Sequence, residues 1–306
     1  MRRYRIGILA VAATVIVGGG GLIVMGLTSG NDSGGGLLPS SLSLGDPSPS
    51  ASPSPTGPTK EELAKIERDK RVKQLDAALK KLDATSPEFS VAVLDKTTGE
   101  KYAYRGTEQY DTASIVKAQI LACMLLKSQD ADRDPTSGEM ALAKPMIRLS
   151  DNNATTSLFQ HLGGKTAVTK CNKRLGLTKT DVNSSWGLTR TTANDQVKLL
   201  SEFVDKNGPL DTDSRKTAET LMSTVDSTQD WGVPSIAKTG EETTVKNGWD
   251  TRSADGGLWA INTIGRVTDD DTDVSVAVLS HDNQTMDAGV TLVQKVAALT
   301  RQYLKY

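Results

Sequence analysis

Apolar and polar positions recur along this chain with two different periods, and each change of period marks a new element. From Lys60 to Leu82, the residues Leu63, Ile66, Leu75, Leu79 and Leu82 recur at helical spacing among charges, which predicts an amphipathic helix. Phe89-Ser90-Val91-Ala92-Val93-Leu94 reads as a strand, Thr97-Thr98-Gly99 as a turn, and Glu100 to Tyr104 as the pairing strand. Ala113 to Leu126 is apolar on every side, with Lys117 as its single charge. A helix of that kind is buried. The stretch from about 137 to 221 reads as mostly helical, with helices over Met140 to Leu149, Asn153 to Leu162, Thr166 to Arg174 and Ala193 to Val204. Strand-like runs follow at Thr243 to Asn247, Leu258 to Val267 and Val274 to Leu279, then a last helix over Thr285 to Tyr303.

Strands near both ends with helices inserted between them predict one mixed α/β (α+β) domain over residues 60–306, its terminal helices covering one sheet face. Two other segments precede it. Residues 1–28 hold Arg2, Arg3 and Arg5 and then an apolar run from Ile6 to Leu27, about long enough to cross a bilayer. Arginines on that side place the N-terminus in the cytoplasm and export the rest. The segment reads as an uncleaved anchor, with a cleaved signal as the alternative. Residues 29–59 are rich in Gly, Ser and Pro and read as an extended spacer that cannot bury a core. The expected location is the cell membrane, single-pass, with an extracellular C-terminal domain.

Composition removes several function classes. Aromatics are 4% of 306 residues and the net charge is −1, which argues against nucleic-acid partners. The two histidines, His161 and His281, and the two cysteines, Cys123 and Cys171, show no metal-ligand spacing, so no metal and no cofactor is expected. His281 is the candidate for a Ser-His-Asp triad, but no Gly-x-Ser-x-Gly elbow accompanies it. Exported cysteines often pair; two free buried thiols are the other reading.

The candidate chemistry lies in the buried helix. Ser114 and Lys117 are spaced i and i+3, which brings hydroxyl and amine to one helix face. Burial lowers a lysine pKa, and a neutral amine beside a hydroxyl is a base for a nucleophile. Asp111 or Thr112 is expected to cap the helix. Ser-x-x-Lys also arises by chance, and Ser235-Ile236-Ala237-Lys238 is a second copy. The first copy is set apart by Ser150-Asp151-Asn152 downstream, although these three residues are equally good helix caps. A Lys-x-Gly element follows, in two versions. Lys238-Thr239-Gly240 lies in a loop-like stretch, whereas Lys246-Asn247-Gly248 follows strand-forming Thr243-Thr244-Val245 and is preferred.

Three motifs in this order, with the flanks Tyr110-Asp111-Thr112-Ala113, Asn153-Ala154-Thr155, Leu162-Gly163-Gly164 and Trp259-Ala260-Ile261-Asn262, resemble the class A β-lactamase and penicillin-binding-protein superfamily over about residues 60–306. The resemblance implies a five-stranded antiparallel sheet flanked by helices, plus a helical subdomain. It implies Ser114 as nucleophile, Lys117 as its proton acceptor, and Ser150 as proton relay to the leaving nitrogen. Asn152 would meet the substrate amide and Lys246, with Asn247 and Gly248, the substrate carboxylate. The N–H groups of Ser114 and Trp249 would form an oxyanion hole. A monomer acting on a β-lactam or a peptidoglycan-like acyl substrate is the implied enzyme. One family feature is missing: no glutamate occurs in Leu177 to Leu188, where only Asp181 is acidic. Slow deacylation is therefore expected.

Overall fold

Alternating burial along the strands and two separate apolar clusters, one on each face of the sheet, organise the chain. The computed structural model describes residues 57–306. The segment read as an anchor, residues 1–28, and most of the segment read as a spacer, residues 29–59, lie outside the described residues. Among the described residues, no helix is long and apolar enough to cross a membrane.

Helix α1 (Lys60–Asp83) starts in a capping box, the Thr59 side chain accepting from Glu62 N. Its second half buries Leu75 and Leu79, while Leu63 and Ile66 are 52% and 60% exposed, so the predicted apolar stripe finds a partner only over its latter part. Strands β1 (Phe89–Asp95) and β2 (Lys101–Tyr104) form the expected hairpin. A two-residue strand β3 (Tyr110–Asp111) follows, then a 3-10 turn at Ala113–Ile115 that runs into α2 (Val116–Asp130). Thr112 makes no side-chain cap bond, contrary to expectation. Its hydroxyl donates instead to Gly187 O at 3.4 Å, and Asp111 is a strand residue salt-bridged to Arg252.

The helical region comprises α3 (Ser137–Arg148), α4 (Asn152–Leu162) and α5 (Gly164–Arg174), with β4 (Arg190–Thr191) pairing to β3, then α6 (Ala193–Glu202) and α7 (Thr212–Ser223). The chain returns through β5 (Glu242–Thr251), β6 (Trp259–Thr268) and β7 (Asp273–Asn283) and closes with α8 (Met286–Leu304).

The main sheet has the order β2-β1-β7-β6-β5, every neighbouring pair antiparallel. One face packs its valines on α1 and α8. The other packs Ala92, Ile264, Ala277 and Leu279 against the cluster built around α2. That second cluster explains the all-round apolar character of α2, which buries Ile120, Leu121, Met124 and Leu125 completely. Burial at about 25 cal/mol per Å² makes α2 the pivot on which the sheet and helices α3–α5 meet. A Cys123–Cys171 disulfide, Cα–Cα 5.7 Å, joins α2 to α5 and settles the open choice in favour of pairing.

Candidate active site

Ser114 sits in the 3-10 turn directly before α2, and the turn is held from two sides. From the sheet, Asn262 Nδ2 donates to Asp111 O at 2.9 Å and Thr112 O at 3.1 Å. From β5, Gly248 approaches so closely that a Cβ there would lie 2.7 Å from Ile115 N and 2.8 Å from Ser114 N. No residue with a side chain fits that contact, which brings the β5 backbone beside Ser114. Ala113 and Ser150 both adopt left-handed φ, 45° and 58°. Such strain in residues with a Cβ costs on the order of 1–3 kcal/mol and gathers at functional turns.

Lys117 is buried and its Nζ meets four oxygens: Ser114 Oγ at 2.8 Å, Ser150 O at 2.7 Å, Ser150 Oγ at 3.0 Å and Asn152 Oδ1 at 2.7 Å. The carbonyl and amide oxygens are pure acceptors. A neutral amine has two N–H groups, which these two acceptors use, and one lone pair, which the Ser114 hydroxyl can donate into. Burial pulls the Lys117 pKa down to about 7, with Asp151 opposing. The neutral form is thus accessible near neutrality.

Ser150 bridges two lysines. Lys246 is also buried, and its Nζ donates to Ser150 Oγ at 3.0 Å and to Asn247 O at 2.8 Å. In its ammonium form, which a nearby anion would favour, Lys246 has three donors, one more than these two acceptors use. Burial, then the neighbouring Lys117, holds the Lys246 pKa well below its ordinary value. Asp151 accepts from Ala154 N at 2.7 Å and caps α4, while exposed Asn152 keeps its Nδ2 without an acceptor among the described residues.

Strand alternation separates the remaining candidates. Lys246 and Gly248 face the serine turn. Asn247 points to the other side, its Nδ2 donating to Gln229 O and Trp231 O at 2.8 and 2.9 Å, so its side chain is structural rather than free for substrate. The Trp249 ring lies against Trp231, centroids 6.0 Å apart, leaving only its backbone for the cleft. Lys238 is exposed and reaches Tyr306 O at 3.4 Å; Ser235 donates to Gly232 O at 2.6 Å. His281 pairs with Glu88 and Asp282, and its ring lies tilted against Tyr110, centroids 5.1 Å apart. Neither alternative set reaches the Ser114 cluster. Asp181 is exposed and its backbone pairs with Arg190. The feature sequence reading passed over is Trp186, whose ring centroid lies 5.0 Å from Lys117 Nζ. Its signal was there: it is the one aromatic residue in Leu177 to Leu188.

A family model described as the Beta-lactamase enzyme family matches residues 140–304, more than half of the chain, and includes Ser150, Asn152 and Lys246. The chain belongs to the beta-lactamase enzyme family. The match begins after Ser114 and does not include the serine turn. Among solved structures, a mutant of the ancestral class A β-lactamase of Gram-negative bacteria is similar at TM-score 0.66 and 22% identity, covering 76% of this chain and 99% of that one. The chromosome-encoded β-lactamase of Vibrio parahaemolyticus gives TM-score 0.65 and 19% identity over 76% and 99%. These likenesses establish the fold as that of class A β-lactamases. Proteins of Mycobacterium tuberculosis and Mycobacterium bovis named "Putative lipoprotein LppW" are 29% identical over 187 residues. The aligned part spans 58% of this chain and 58% of those relatives.

The Lys117 amine makes a pH prediction. The neutral fraction grows as pH rises through about 7, so acylation of Ser114 should rise about tenfold per unit below that point and level off above it. Timed labelling with fluorescent penicillin from about pH 5.5 to about pH 8 checks this. A rate that falls over that range would contradict a neutral amine as base.

Proposed function

We propose that this chain is a cell-envelope serine hydrolase that opens β-lactams or related acyl substrates on Ser114 and releases the acyl group slowly. The observation that supports it most is the shared hydrogen-bond set of Ser114, Lys117, Ser150 and Lys246. In this reading Lys117 takes the Ser114 proton as Oγ attacks the acyl carbonyl. Ser150, bonded to both lysines, delivers a proton to the leaving nitrogen. Ser114 N–H and Trp249 N–H receive the oxyanion, Asn152 Nδ2 holds the substrate amide, and the free Lys246 N–H holds its carboxylate.

The second reading, a D,D-peptidase-like enzyme on peptidoglycan stem peptides, is favoured by the same missing glutamate in Leu177 to Leu188 and by the anchor and spacer read in residues 1–59. Envelope localisation is supported by export signals in the sequence and by relatives named as lipoproteins. The domain is taken to act as a monomer on a small-molecule substrate.

The test is adduct lifetime. General-base help on water contributes typically about 10²–10⁴-fold, and its absence should keep a benzylpenicillin adduct visible by intact-mass spectrometry for minutes. Loss within seconds, with many turnovers of nitrocefin, would show an efficient β-lactamase and refute slow release.

A further inference from the structure

Opposite β5, the serine turn faces a second turn, Trp186–Leu188. Thr112 N donates to Thr189 O at 2.8 Å, which ties the two turns together. The indole is held at its far end as well, Nε1 donating to Thr156 Oγ1 on α4 at 3.1 Å. Trp186 is half-buried and packs against the apolar cluster around α2. Beyond it lies a cavity of about 470 Å³, lined by Trp186, Phe159, Leu188, Thr156 and Asp250 among others. Neither Ser114 nor Lys117 lines that cavity. Trp186 is in contact with both sides: its ring faces Lys117 at 5.0 Å and its surface walls the cavity.

We propose that Trp186 is a water-excluding partition that sets the lifetime of the acyl group on Ser114. The inference rests on the acyl-serine reading above. Hydrolysis of the ester requires a water oxygen to bond to the acyl carbon while the C–Oγ bond breaks. One water proton must leave to a base, and one must return to Oγ. β5 closes one side of the turn at Gly248, so water reaches the ester from the side of the second turn. On that side the indole ring lies 5.0 Å from Lys117 Nζ; it supplies no lone pair basic enough to accept the proton, and its single N–H is engaged by Thr156. The segment Val182 to Thr189 holds no carboxylate, and Asp181 is turned outward. Asp250, Ser184 and Ser185 give that cavity polar groups that could hold water, and the ring that borders it is the one 5.0 Å from Lys117 Nζ; in this account the ring keeps that water from the ester. Persistence of the adduct is in this account built by a side chain, beyond the mere lack of a base.

The experiment acylates the whole chain with benzylpenicillin, removes free drug, and follows the labelled fraction by intact mass. Only loss of label is read, so any change in the rate of labelling drops out. Trp186→Ala should shorten the lifetime at least about tenfold and Trp186→Glu, which adds a carboxylate, by more, towards the roughly 10²–10⁴-fold of general-base help. Trp186→Phe keeps the partition and should retain most of the lifetime. Thr156→Val, a milder change that frees the indole from its anchor, should shorten it about threefold and covers the case in which Trp186→Ala does not fold. Lifetimes in Trp186→Ala and Thr156→Val equal to that of the unaltered protein would overturn the proposal and leave the acyl-serine reading intact. An unaltered protein that takes no label at all would instead remove that reading, and the partition with it.

Discussion

Lys117→Met should label with fluorescent penicillin at least about 10²-fold more slowly than the unaltered protein, because general-base help is worth roughly 10²–10⁴-fold. Methionine matches the stem of lysine and suits a site enclosed by α2 and α4. It cannot take the Ser114 proton, and it leaves Ser150 O and Asn152 Oδ1 without the donor that now reaches them at 2.7 Å each. Losing those partners costs on the order of 1–3 kcal/mol of stability, so a modest fall in melting temperature should accompany a large fall in rate. The residual rate should also lose its rise near pH 7. A near-normal rate in Lys117→Met would move the base elsewhere.

Lys246→Ala should slow acylation by a carboxylate-bearing penicillin about 10–100-fold, while Lys238→Ala changes it by less than about twofold. A charge-assisted bond in a cleft is worth roughly 1.5–3 kcal/mol, and each 1.36 kcal/mol is about tenfold. Lys246 is 1% exposed and touches Ser150 Oγ, so its loss removes both the anion contact and one support of the relay. Lys238 is exposed in the turn after Ile236, and among the described residues its amine donates to Tyr306 O at 3.4 Å, away from Ser114. Second-order rate constants for labelling in the two variants decide it. A larger loss in Lys238→Ala would make the literal Lys-Thr-Gly the working motif.

How far the sequence could be read follows from which forces are local. The sheet strands were legible because their alternating or continuous apolar runs, as in Asp273–Asn283, are local patterns. Helix α2 is legible as buried because Ala113 to Leu126 carries a single charge, Lys117, in an otherwise apolar run. Its start is not, because Thr112 is drawn away from capping by Gly187, a residue distant in sequence. Helix α7 falls in the stretch that reads as mostly helical, but its bounds do not show: Thr212–Ser223 buries only Ser214, Ala218, Leu221 and Met222, a stripe too sparse to stand out. The β3–β4 pair is two residues long and joins Tyr110 to Thr191, which no local pattern encodes. In the site, spacing alone placed Ser114 beside Lys117, since i and i+3 is a local relation. The meeting of Lys246 with Ser150 is a tertiary fact, and so is the outward turn of the Asn247 side chain, although strand alternation from Lys246 implies it. Trp186 shows the limit most plainly. The sequence of that loop shows the lack of a glutamate, and only the fold reveals that an indole stands over Lys117 there.

The most direct test of the central claim is to locate the label. The purified chain is mixed with benzylpenicillin, digested, and the modified peptide sequenced by mass spectrometry, with Ser114→Ala and Ser235→Ala run beside it. The account predicts one adduct, on Ser114, absent in Ser114→Ala and undiminished in Ser235→Ala. Equal labelling of Ser114→Ala, or an adduct mapped to Ser235, would contradict it.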